Sequence, residues 1–234
     1  MLSRRGWALA TILAFIAGCA GDSPVSPAGG ATDPPRPVVE LDEEDNDDGD
    51  DGADEDTEER DEDDLFFLQP DDDAPPLATT QVSFYAVRGQ ERQALIMYRA
   101  EPGAADSSEF LRFVVPAGSL VVHPDGRPIA VGDSLRITLT VEDPLRLIVD
   151  FKPYRLRFAP NDPARLRFSY GETDDDLDSD GDVDPDDEAI EAAFAIWRQE
   201  TDGEPYVRIP STVDTVAEQV TADIGGFTRY AVAY

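Results

Sequence analysis

From about residue 80 onward the chain repeatedly alternates apolar and polar side chains. This period-two pattern puts one set on a buried sheet face and the other in water. Leu135, Ile137, Leu139 and Val141 interleave with Arg136, Thr138, Thr140 and Glu142. Leu145, Leu147, Val149 and Phe151 repeat the pattern against Arg146 and Asp150, and Tyr154, Leu156 and Phe158 do so against Arg155 and Arg157. Ala164, Leu166, Phe168 and Tyr170 alternate with Arg165, Arg167 and Ser169. Segments 81–87, 93–99 and 109–115 read as earlier strands, and 205–209, 215–224 and 228–234 as later ones. Turn-forming runs separate them, among them Pro124-Asp125-Gly126, Gly132-Asp133, Asn161-Asp162-Pro163 and Asp202-Gly203. Many short, half-buried strands at this spacing predict an all-β fold, a squat barrel or an antiparallel β-sandwich, the sandwich being the expected form.

A different pattern opens the chain. Arg4 and Arg5 precede an apolar run from Trp7 to Ala17, and the small residues Ala17 and Gly18 lead into Cys19, the single cysteine. The run falls short of the roughly 20 residues that span a bilayer. A single membrane helix, or an ordinary secretory leader with a chance cysteine, fits this order less well. Residues 1–18 resemble a bacterial lipoprotein signal peptide. That resemblance implies acylation of the Cys19 thiol, removal of the leader, and attachment to the membrane through lipidated Cys19, with more than one acyl chain for stable anchoring. Ala20 stands where an aspartate retains such proteins in the inner membrane. The implied location is the cell envelope, with the outer membrane favoured in an organism that has one.

The net charge of -32 matters less for its size than for its placement. Residues 40–64 hold 18 Asp or Glu against Arg60 alone, and 172–191 hold 12 with no Lys or Arg. Outside the second cluster, residues 77–234 carry 16 acids and 15 bases, so the body of the domain is nearly neutral. Residues 19–78 are rich in Pro, Gly, Ser and acids. They offer too little apolar surface to offset chain entropy and read as a disordered acidic linker. A flexible tether of that length reaches about 40 to 45 Å. Within it, Leu65-Phe66-Phe67-Leu68 reads either as a docking segment or as the approach to the domain. Residues 79–234 suffice for one domain with its own core, and no cysteine there provides a disulfide.

Asp176-Leu177-Asp178-Ser179-Asp180-Gly181-Asp182-Val183-Asp184-Pro185-Asp186-Asp187 carries the clearest chemistry in the domain. It resembles an EF-hand or dockerin loop, placed at 176–187. Carboxylates of Asp176, Asp178 and Asp180 at the first, third and fifth positions converge in such loops on one hard cation, and Gly181 at the sixth permits the sharp turn. The resemblance implies that Asp182 contributes its carbonyl, Val183 tucks into the core, Asp184 acts through a water and Asp187 closes the site. Aspartate in place of glutamate at the twelfth position shortens the reach. The expected cofactor is Ca²⁺, bound weakly to moderately, roughly 10⁻⁴ to 10⁻³ M in dissociation constant. No helix leads into the loop, but 185–192 reads as a short exiting helix with Asp184 as its cap. The alternative is an acidic solvated loop that binds nothing specifically.

Arg112, Arg136, Arg146, Arg155, Arg157, Arg165 and Arg167 project from polar strand faces. They read as a solvated sheet face or as a patch for an anionic partner, the acidic tether itself or an anionic glycan. Nucleic acid is not an expected partner, since the acidic segments repel phosphates and no binding motif accompanies the arginines.

Residues 110–234 also resemble the β-sandwich domain found in ankyrins, netrin receptors and tight-junction scaffolds. The likeness rests on Val115-Pro116-Ala117-Gly118-Ser119-Leu120, the paired strands of 155–170, Ala195-Ile196-Trp197, residues 206–211, and Gly226-Phe227-Thr228-Arg229-Tyr230-Ala231, where Gly226 replaces the family's usual histidine. The resemblance implies a protein-interaction module without enzymatic activity, with the calcium loop inserted between two strands. A purely structural envelope component is the alternative. An enzyme is not expected: His123 before Pro124-Asp125-Gly126 suits a hairpin tip, Ser119 has no evident base, and Glu142 and Asp150 show no shared cleft for a carboxylate-based hydrolase.

Overall fold

The computed structural model describes residues 58–100 and 107–234. Cys19, the leader 1–18 and residues 19–57 of the expected linker lie outside the described residues. The alternating segments form strands that fall into two antiparallel sheets, so the chain is all-β and sandwich-like. The first sheet runs in the order β1 (Glu59–Arg60), β11 (Tyr206–Arg208), β10 (Ala195–Gln199), β14 (Arg229–Ala233), β7 (Ile148–Lys152), β6 (Ser134–Asp143) and β2 (Gln81–Val87). The second runs β12 (Ser211–Asp214), β13 (Gln219–Ile224), β9 (Ala164–Ser169), β4 (Glu109–Val115) and β3 (Arg92–Met97). A ribbon of β5 (Leu120–Val122) and β8 (Arg157–Phe158), one α-helix, α1 (Pro185–Glu191), and a 3-10 turn at Glu62–Asp64 complete the described elements. Among the described residues no helix is long and apolar enough to cross a membrane.

The two sheets meet through the apolar half of each alternation. On β6, Ile137, Leu139 and Val141 are buried and Arg136 is exposed; on β9, Ala164, Leu166 and Phe168 are buried and Arg165 is exposed. Phe113 of β4 joins the layers, its ring 5.2 Å from that of Phe151 on β7 and 5.6 Å from Phe227. Such edge and tilted aromatic pairs add to the area term that burial alone supplies.

Three predicted strands differ in detail. The alternation through Leu145 breaks at a turn, so Leu145 is 71% exposed and β7 starts only at Ile148. Tyr154 likewise lies outside a strand and is exposed, because the chain turns after β7 toward the short β8. The segment expected at 215–224 is strand only from Gln219: Asp214, which ends β12, accepts the amides of Val216 and Ala217 to form the hairpin turn between β12 and β13.

The larger correction concerns the linker. Residues 58–78, expected to belong to the disordered tether, form a strap integral to the domain. β1 adds to β11 in antiparallel register, Glu59 opposite Val207 and Arg60 opposite Tyr206. Phe66 and Tyr234 then exchange backbone hydrogen bonds of 3.3 and 3.2 Å, and the Leu68 amide donates to the Val232 carbonyl. β7 pairs with β14 only at Arg229 and Tyr230, so residues 66–68 take the place beside β14 that β7 leaves. Leu65 and Phe67 pack with Ile148, Ala195, Trp197, Tyr206, Ala231 and Ala233 in a second apolar cluster, separate from the main core. Of the two readings for Leu65-Phe66-Phe67-Leu68, docking is the one observed. Ion pairs hold the acidic flanks of the strap: Glu58 with Arg60 and Arg208, and Glu62 with Arg146.

Candidate metal centre

The loop 176–187 lies in the connection from β9 in the second sheet to β10 in the first, an insertion between strands. Its base is tied to the strap. The Asp174 amide donates to the Gln69 carbonyl and the Asp71 amide to the Glu172 carbonyl, at 3.1 and 3.0 Å. Thr173 is buried, with its hydroxyl donating to the Tyr170 carbonyl at 2.6 Å. The loop leaves through α1, as its proline and cap predict. Asp184 Oδ1 accepts the Asp186 amide at 2.7 Å, and Asp187 Oδ2 accepts the Asp184 amide at 2.8 Å, a reciprocal capping box.

Within the loop, Asp176 folds the chain around itself: Oδ1 accepts the Asp180 amide at 3.1 Å and Oδ2 the Gly181 amide at 2.9 Å. Gly181 sits at φ +97°, a left-handed conformation that glycine adopts without penalty. Asp187 Oδ1 accepts the Leu177 amide at 2.7 Å, drawing the twelfth position back toward the second. One carboxylate oxygen from each of Asp176, Asp178 and Asp187 thereby falls within 4.8 Å of the others. The structure brings these three predicted ligands together. The carboxylates of Asp180, Asp182 and Asp184 do not join the group; Asp180 accepts the Asp182 amide, and Asp184 caps α1. Val183, expected in the core, is 68% exposed; Leu177 is the loop residue that packs against the core.

The electrostatics fit a cation. At Asp178 the Asp180 amide pulls the pKa down, but desolvation and the facing carboxylates of Asp180, Asp187 and Asp176 outweigh it, so the net shift is upward. Asp187 shifts downward: the Asp184 amide, and then those of Leu177 and Asp178, hold its carboxylate against desolvation. Asp176 Oδ1 and Oδ2, Asp178 Oδ1 and Asp187 Oδ2 each accept a single amide, so a lone pair on each is left for a metal. An all-oxygen donor set suits calcium.

The predicted arginine patch does not form one surface. Arg136 lies on β6 of the first sheet, whereas Arg165 and Arg167 lie on β9 of the second. Arg146 is taken up by Glu62 and Asp143, its guanidinium 5.4 Å from the Phe67 ring centre. Arg155 sits in the connection after β7 and Arg157 on the β5–β8 ribbon. Only Arg112 and Arg167 meet, across Glu109. β6 and β9 belong to different sheets, and their polar faces part with them.

Among the residues weighed for catalysis, Glu142 pairs with Arg229 at 2.8 Å, and buried Asp150 accepts the Tyr154 hydroxyl at 2.7 Å. His123 closes the turn through Gly126, and Ser119 is fully buried. Sequence reasoning missed a groove of about 630 Å³ between the strap and the loop, lined by Phe66, Tyr234, Leu177 and Ile190 with Glu62 and Asp63. The apolar quartet 65–68 was its one trace in the sequence. No family model, curated protein or solved structure matches this chain.

Proposed function

We propose that this chain is a lipid-anchored cell-envelope protein whose β-sandwich is an interaction module supported by calcium. The observation that carries the reading is the approach of Asp176, Asp178 and Asp187 to within 4.8 Å of one another around a glycine turn. Three like charges at that spacing repel, and a bound divalent cation converts the repulsion into a crosslink between the two ends of the loop. The leader 1–18 ahead of Cys19 supports the membrane address, and the resemblance of 110–234 to scaffold sandwich domains supports interaction as the task. In this reading calcium is structural. It fixes Leu177 and α1 against the core, beside the strap that connects the domain to its tether.

The test is a calorimetric titration of the full chain with calcium beside Asp178→Asn. Stoichiometric binding at roughly 10⁻⁴ to 10⁻³ M, lost in the variant, is the expected result. The acidic run 40–57 is identical in both proteins, so any nonspecific heat it contributes cancels in the comparison. Equal heats from the two proteins would remove calcium from the reading and leave a solvated insertion.

A further inference from the structure

We infer that the groove between the strap and the calcium loop is the docking surface of the module, and that it takes a cationic segment of a partner protein in which Lys or Arg alternates with apolar side chains. The inference rests on the interaction-module reading; it does not depend on metal in the loop. Its centre is Phe66. Leu65 and Phe67 on either side are 7% and 8% exposed, whereas Phe66 is 66% exposed. Its ring is nonetheless fixed. It stacks on Tyr234 at 5.5 Å with an interplanar angle of 16°, and backbone bonds in both directions lock the two residues together. Tyr234 is itself pinned by its hydroxyl, which donates to the Leu177 carbonyl at 2.6 Å. A large aromatic surface held rigid in water loses little freedom when covered, the property of an interface anchor.

Charge selects the occupant. Glu62 and Asp63 line the strap side of the groove and Asp178 the loop side. Arg146 is the one cation among the lining residues, and Glu62 and Asp143 already neutralise it. An anionic lipid surface or an acidic peptide meets repulsion there, and a basic segment meets attraction. Leu177 and Ile190 form an apolar wall facing the aromatic platform. A segment with both properties therefore seats its apolar side chains on Phe66 and Tyr234 and its cations toward Asp63.

The probe is a short fluorescent peptide alternating lysine with leucine, with its glutamate-for-lysine counterpart as control, titrated into the full chain and followed by anisotropy. Saturable binding of the lysine peptide alone is expected, weakened about tenfold or more by Phe66→Ser and restored by Phe66→Trp. Phe66→Ser leaves every charge in place, so it separates the groove from attraction to the acidic run. Equal binding by wild type and Phe66→Ser overturns the proposal, as does failure of the lysine peptide to saturate. Should Phe66→Ser melt early, Asp63→Lys is compared with Asp61→Lys, which makes the same charge change in the acidic run outside the groove lining: weakening of the lysine peptide by Asp63→Lys alone is expected, and equal weakening by both overturns the proposal. Repeating the titration in chelator separates this inference from the calcium reading: groove binding that persists without calcium upholds the one irrespective of the other.

Discussion

Glu109 sits between two arginines that face each other across β4 and β9, Arg112 directly opposite Arg167. Its Oε2 accepts Arg112 Nε at 3.0 Å and its Oε1 accepts Arg167 Nε at 3.1 Å. Like charges directly opposite on neighbouring strands destabilise a sheet, and here one carboxylate turns the opposition into a bridge. Desolvation pushes the Glu109 pKa up, but the hydrogen bonds and charges of Arg112 and Arg167 overcome it, so it lies below the ordinary 4.5. A carboxylate with a depressed pKa contributes stability that is complete above the ordinary value and is lost as pH falls through the folded-state value. Glu109→Gln therefore costs about 1 to 3 kcal/mol near neutral pH, a difference that fades in acid below pH 4.5. Denaturant unfolding of both proteins across that range measures it, and a gap that stays constant into acid would sink the assignment.

The strap, residues 58–78, is the element by which the described chain enters the domain. Its anchor is Phe67, whose ring lies 5.4 Å from Tyr206 within the second apolar cluster. Phe67→Ala should cost about 3 kcal/mol. The loss should be local as well as global: amides of residues 66–68 and 232–234 should exchange faster with deuterium, while those of β4 and β9 keep their protection relative to one another. Uniform acceleration throughout would show the strap and sandwich to be one cooperative unit. This element also marks where the sequence stopped being legible. Inner sheet faces announce themselves by period two, as at Ile137, Leu139 and Val141, and α1 by Asp184 and Pro185. The strap announces itself only by 65–68. The segment 58–64 has the composition of a disordered tail, and what holds it is the long-range pairing of β1 with β11, flanked by the ion pairs of Glu58 with Arg208 and Glu62 with Arg146, which no local pattern encodes. The same limit applies to the arginines, whose face depends on which sheet each strand joins. In the loop, spacing singled out Asp176, Asp178 and Asp187, which the structure brings together, and Asp184 as the helix cap, but not the exposure of Val183.

Over the whole molecule, charge is segregated rather than spread. The acids concentrate at 40–64 and 172–191, and the sandwich between and after them is close to balanced. Calcium and salt should then act on stability in separable ways. Salt screens the acidic runs and acts gradually over the Debye range. A specific site acts by mass action. At about 10 mM calcium and a dissociation constant of roughly 10⁻⁴ to 10⁻³ M, linkage adds about 1.4 to 2.7 kcal/mol, or roughly 3 to 11 degrees in melting temperature for a domain of this size. The variant Asp178→Asn sharpens the comparison because its two effects have opposite signs. Asparagine keeps an oxygen for the Asp180 amide, which Asp178 Oδ1 now accepts at 3.1 Å, and it removes one charge from the crowded trio. In chelator the variant should therefore melt above the wild type, since a repulsion is gone. In calcium the order should reverse, since a ligand is gone. Sodium chloride at matched ionic strength should leave the order as it was in chelator. Parallel curves, with both proteins shifted equally by calcium and by matched salt, would mean that the loop holds no cation and that the acidic runs respond only as a diffuse charge.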